Sequence, residues 1–124
     1  MDLQINKTYT RQQIQELVGG GSVHDYLPNK EGLVLCACLS QEYDPRGQQV
    51  ILVGQGPGVQ QAGAFFCSQS AAVPVFLKKV ANLWEYVGNF KVSRWTEDPE
   101  EISGFEESSG RVNLTRVIFL EEVK

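Results

Sequence analysis

The 124-residue chain holds one histidine and an odd three cysteines. His24 alone excludes metal centres built on several histidines. Cys36, Cys38 and Cys67 cannot all pair, so a reducing, cytoplasmic setting is expected rather than a disulfide framework. No apolar run approaches the roughly 18 residues of a membrane span. The opening MDLQINKTYT lacks the basic-then-apolar pattern of a secretion signal, so no membrane association is expected. Catalytic signatures are also missing: there is no nucleophile elbow, zincin motif or apolar-set pair of carboxylates. Cys36 and Cys38 share one face of a predicted strand with no second pair to complete a zinc site, and read as buried core residues. Cys67 with His24 is the one nucleophile–base pairing the composition leaves, and nothing favours it. The chain is therefore expected to be non-catalytic, without cofactor or metal.

A positive excess is lacking too. The formal charge of −4 opposes non-specific attraction to phosphates. Its distribution is uneven. Residues 74–95 carry four cations and one acid, whereas residues 96–110 carry six acids and no base. Only the first of these segments could face a polyanion.

At 13.8 kDa the chain is expected to form one domain over residues 1–124. Thr10 with Gln13 three residues on forms a capping box, and Ile14, Leu17 and Val18 make one apolar stripe. A helix over 10–18 follows, stopped by Gly19, Gly20 and Gly21. LVLCACL at 33–39 reads as a buried central strand, and residues 50–53 as a short one. A short helix is expected over 59–70, with Ala62, Phe65 and Phe66 on one side. Strands are expected over 73–78, 83–87 and 89–94, the last two separated at Gly88. Residues 96–110, with Pro99 and two glycines, read as an acidic surface loop with room for one helical turn after Asp98, and residues 112–121 as a last strand. The sum is an α+β domain: a small curled antiparallel or mixed β-barrel with one or two flanking helices.

Residues 74–95, PVFLKKVANLWEYVGNFKVSRW, interleave Lys78, Lys79, Lys91 and Arg94 with five aromatics. Cations for phosphates and flat rings for bases are what a nucleic-acid surface needs; an amphipathic hairpin with a solvated face has the same pattern. Trp84 reads first as a packing residue, and Trp95, at a strand end, as an exposed stacking or wedge residue. The GQGPG turn (Gly54, Gln55, Gly56, Pro57, Gly58) lacks the P-loop Lys-Ser/Thr ending and the dinucleotide spacing. It reads equally as a strand-to-helix turn and as backbone able to approach an anion or base. Tyr43 and Asp44 lie in a turn before Pro45, where a ring and a carboxylate could also engage a base.

The order of these elements resembles the SRA (SET- and RING-associated, YDG) domain, a PUA-like curved barrel that reads modified cytosine in DNA. That family shows a strand, a Tyr with acids, a TGSGG turn, then PVRV and YRYDGLYKVVKYW. Here VLCACLSQEYDPRG precedes LVGQGPG, then PVFL from Pro74 and WEYVGNFKV from Trp84 to Val92, ending at Trp95. The resemblance covers residues 33–95. KTYTRQQIQELVGGG is similar to leaders before SRA-like modules of bacterial modification-dependent restriction enzymes.

The resemblance implies DNA as partner, with Lys78, Lys79, Lys91, Arg94 and Trp95 on the nucleic acid. Tyr43, Asp44, Gly54, Gln55, Gly56 and Tyr86 would line a base pocket. The family's pocket tyrosine and threonine fall on Leu52 and Val53, and the segment before the Pro-Val strand is shorter. Any cleavage would come from a separate nuclease or other protein partner. A protein- or small-ligand-binding domain of the same fold, without nucleic acid, is the competing expectation.

Overall fold

The computed structural model describes residues 3–19, 26–40 and 50–123. Its elements in chain order are β1 (Thr8–Tyr9), α1 (Arg11–Val18), β2 (Asn29–Lys30), β3 (Leu33–Val34), β4 (Ala37–Leu39) and β5 (Val50–Val53). They continue with α2 (Pro57–Ser68), β6 (Val73–Val80), β7 (Leu83–Thr96), α3 (Pro99–Ser109) and β8 (Arg116–Val123). Six strands form one mixed sheet in the order β4-β6-β7-β8-β5, with β1 added to β7. Only β4 runs parallel to its neighbour β6; the other pairings are antiparallel. β2 and β3 pair separately.

Alternation along the strands sorts side chains into layers. Ile51, Val53, Val75, Leu77, Ile118 and Leu120 pack on one face with Ala62 and Phe66 of α2. The opposite face is divided. At one end Phe76, Tyr86 and Cys38 pack with Tyr9 and Ile14 of α1. At the other, Leu52 and Val117 pack with Ile102 and Phe105 of α3.

β7 serves all three layers by changing face twice. Val87 and Ser93 have no opposite partner in the ladder; each is an extra residue that flips the alternation. Trp84 and Tyr86 therefore face α1, Phe90 and Val92 face α2, and Arg94 turns to the α3 side, over Phe119. Gly88, at φ 131°, follows the first bulge in a conformation that favours glycine. The two strands expected over 83–87 and 89–94 are thus one, because a bulge absorbs the glycine without ending the pairing.

Other elements also differ from expectation. The acidic loop at 96–110 is largely the helix α3. Asp98 and Pro99 open it, Glu100 and Glu101 sit in its first turn, and Gly110 closes it in the left-handed conformation at φ 78°. Acids in a first turn suit the helix dipole, and Ile102 and Phe105 give the helix an apolar side to bury. The run at 33–39 is two short strands, β3 and β4, in different sheets. The last strand begins at Arg116 rather than 112 and extends to Val123. The helix expected over 59–70 starts earlier, because Pro57 is pre-set for a first turn. The α+β class holds, with three helices among the described residues. The closed barrel does not form among the described residues: β4 and β5 are the two ends of an open pairing path.

Candidate nucleic-acid interface

The β6–β7 hairpin does not gather its four cations. Lys79 Nζ pairs with Glu85 at 3.1 Å, Lys91 Nζ with Glu121 at 3.3 Å, and Arg94 Nη2 with Glu101 at 3.2 Å. The Arg94 guanidinium also covers the Phe119 ring at 3.9 Å. Lys78 is exposed, with its ammonium 6.0 Å from the Trp84 ring and no described carboxylate in ion-pair reach. Carboxylates supplied by β7, β8 and α3 offset three of the four charges; Glu85 belongs to the hairpin itself, but Glu121 and Glu101 lie outside it and could not be foretold from its sequence.

The Gly-rich turn lies at the other end of the strands. Gly54 ends β5, and its carbonyl accepts the Thr115 hydroxyl at 3.0 Å. Arg111 Nη1 donates to the Leu52 carbonyl at 3.0 Å. A Cβ on Gly54 would stand 2.9 Å from Arg111 Nη2, so only the absent side chain leaves that space. Gln55 is exposed, and Gly56 caps the start of α2 at φ 129°. Tyr26 braces α2 by donating to the Val59 carbonyl at 2.7 Å, and burial pushes its hydroxyl well above the usual phenol range.

Trp95 is 43% exposed and rests against the Arg116 guanidinium, 4.1 Å from the ring centre. Arg116 Nη2 in turn pairs with Glu97 at 3.2 Å, and its charge acts on the nearby Cys67 thiol. Burial raises the Cys67 pKa, an effect that Arg116 offsets only in part. This thiol is protonated, not an activated nucleophile. Among the described residues no group of His, Cys, Asp and Glu could hold a metal ion.

Of the expected pocket residues, Gly54, Gln55 and Gly56 are contiguous, while Tyr86 lies elsewhere. It is 7% exposed in the α1-side core, its ring 5.5 Å from Phe76, and its hydroxyl donates to Asn89 Oδ1 at 2.7 Å. Tyr43, Asp44 and His24 fall outside the described residues. Leu52 and Val53 are buried, as their apolar side chains require. The sequence reading missed Arg111 and Arg116, because they follow the acidic segment and come to the turn only through β5–β8 pairing. It also missed Lys7 and Arg11, which β1 and α1 bring against the hairpin; the aromatic Tyr9 between them was the available signal.

No family model and no curated protein matches the sequence. Among solved structures the chain is similar to the SRA domain of SUVH5 in a hemi-methylated CG DNA complex. The TM-score is 0.68 at 13% identity, covering 99% of this chain and 90% of that one. It is also similar to KRYPTONITE in complex with mCHG DNA and SAH. There the TM-score is 0.65 at 12% identity, over 98% of this chain and 32% of that one. The fold is SRA-like.

Proposed function

We propose that this chain is a non-catalytic DNA-binding module that reads a modified base beside the Gly-rich turn. The observation that carries the reading is the likeness, over 99% of the chain, to an SRA domain in complex with hemi-methylated CG DNA. Local geometry supports it. Gln55 is exposed and Gly56 half-buried at the junction of β5 and α2, next to the buried Gly54, and Arg111 adds a cation there. Trp95 offers an exposed ring stiffened from behind by Arg116. Tyr43 and Asp44 belong to the segment that enters β5, so the stacking ring and carboxylate would come from it. With Leu52 and Val53 buried where the family has a tyrosine and a threonine, the pocket's polar chemistry rests on Asp44 and on backbone groups. Extruding a base costs a few kcal/mol, which stacking and hydrogen bonds in the pocket must offset.

The test is anisotropy binding to one duplex sequence in unmodified, hemi-methylated and fully methylated forms. At least tenfold tighter binding to one modified form is expected. Equal binding to all three would defeat the base reading, and no binding at low salt would defeat the DNA assignment.

A second reading is favoured by the pairing of Lys79, Lys91 and Arg94 with carboxylates. On that reading the acidic α3 engages a basic protein partner. Neutralising Glu100 and Glu107 would abolish such a complex and leave DNA binding untouched.

A further inference from the structure

The strongest unassigned surface lies at the tip of the β6–β7 hairpin, at the opposite end of β7 from Trp95 and the Gly-rich turn. β1 pairs here with β7, Thr8 opposite Glu85 and Tyr9 opposite Trp84, while Lys78 lies opposite Trp84 on the other side. Three cations from distant parts of the sequence therefore meet around two rings. Lys7 Nζ is 5.5 Å from the Tyr9 ring; the Arg11 guanidinium is 5.2 Å and Lys78 Nζ 6.0 Å from the Trp84 ring. Lys79 is paired with Glu85, which leaves β7 on the face opposite Trp84. Glu16 shares a surface groove with Lys7, Tyr9, Gln13 and Leu17. Lys7 and Lys78 make no ion pair among the described residues, on a chain whose overall charge is −4.

The tip is also held in shape and apolar at its end. Asn82, at φ 58°, accepts the Arg11 backbone N–H on its side-chain oxygen at 3.1 Å, which ties the turn to the start of α1. Val80 and Leu83 remain 58% and 38% exposed beside the lysines. A rigid turn with apolar side chains flanked by ammonium groups matches the edge of a nucleic-acid groove. There phosphates alternate with sugar surface, and proteins that enter the minor groove insert apolar wedges between base steps.

We propose that Lys7 and Lys78, with Arg11 beside them and Val80 and Leu83 at the end of the turn, form a second contact that grips the phosphate backbone of duplex DNA. This contact is remote from the Gly-rich turn. It supplies sequence-independent, salt-sensitive affinity, whereas the turn supplies discrimination; it rests on the DNA-binding reading above but not on recognition of a modified base. Lys79, Lys91 and Arg94, neutralised by Glu85, Glu121 and Glu101, take no part.

The experiment measures duplex affinity across a salt series for the wild type, for Lys7→Gln/Lys78→Gln and for Lys91→Gln/Arg94→Gln. Each lost phosphate contact lowers the log–log salt slope by about 0.9. The Lys7/Lys78 variant is expected to lose about 2 from the slope and at least tenfold in affinity at low salt, with its ratio of modified to unmodified binding unchanged. The Lys91/Arg94 variant is expected to keep the wild-type slope. If the Lys7/Lys78 variant does not melt cooperatively, the exposed single changes Lys7→Gln and Lys78→Gln are read instead, each expected to remove about one from the slope.

A wild-type slope in the folded tip variants, or equal losses in both sets, overturns the proposal. A tip-dependent slope without preference for modified DNA sustains it while removing the base reading. A preserved preference with no tip effect does the reverse. Binding to anionic lipid vesicles but not to DNA overturns both.

Discussion

Arg111 Nη2 stands 2.9 Å from the point where a side chain on Gly54 would begin. The guanidinium fills the space that a Cβ would need, and its other nitrogen holds the Leu52 carbonyl. Gly54→Ala should therefore act through Arg111 rather than through backbone strain. Because the guanidinium ends a flexible side chain and can shift, the change is expected to destabilise the fold by about 0.5–1.5 kcal/mol in urea denaturation, the range for one hydrogen bond. The same change should cost clearly less in an Arg111→Ala background. Equal costs in both backgrounds would show that the two residues are not coupled.

Trp95 separates binding from folding. Its exposed ring contributes little to the core, so Trp95→Ala should change stability by under about 1 kcal/mol, the scale of an exposed cation–π contact. If the ring stacks on a base, DNA affinity should fall by about 1–3 kcal/mol. Parallel melting and anisotropy measurements decide between a ligand contact and a surface tryptophan without a role.

Tyr26 sets an alkaline limit. Burial, reinforced by Cys67, holds its pKa above the unfolded phenol value. The folded state therefore keeps a proton that the unfolded chain loses above about pH 10. Tyr26's contribution is fully present below that pH and fades as the pH rises further. Denaturation curves from pH 8 to 11.5 should show the decline, and Tyr26→Phe should flatten it while losing about 0.5–1.5 kcal/mol from the bond to Val59.

Helix α3 depends on its ends. Gly110 adopts φ 78°, which a side chain tolerates poorly. Gly110→Ala is expected to cost about 1 kcal/mol and to loosen the packing of Ile102 and Phe105, seen as faster hydrogen exchange in α3. An unchanged melting temperature would mean that the cap is not needed.

Cys67 should label slowly with iodoacetamide at neutral pH, because burial favours the protonated thiol. Cys36 and Cys38, both buried, should label only on unfolding. Fast modification of Cys67 in the folded protein would reopen a nucleophilic role.

The sequence was most legible where local chemistry decides the outcome. The Thr10–Gln13 capping box, the strand at 50–53 and the apolar strand from Val73 follow from residue types alone. It was least legible where one segment's charge is answered by another. Nothing within residues 74–95 announces that Glu101 and Glu121 will meet Arg94 and Lys91, or that Lys7 and Arg11 will join Lys78. The acidic run hid a helix because its apolar anchors, Ile102 and Phe105, are only two residues among many polar ones. The Gly-rich turn was visible as a motif, but Arg111 reaches it from far along the chain through strand pairing.

The double reversal of β7 has a consequence for how this protein can vary. Deleting one residue between Gly88 and Ser93 would send Phe90 and Val92 into water and drive Lys91 toward the interior. The length of that short stretch is therefore constrained more tightly than its composition. Natural or engineered variants should accept substitutions there far more readily than a single gap.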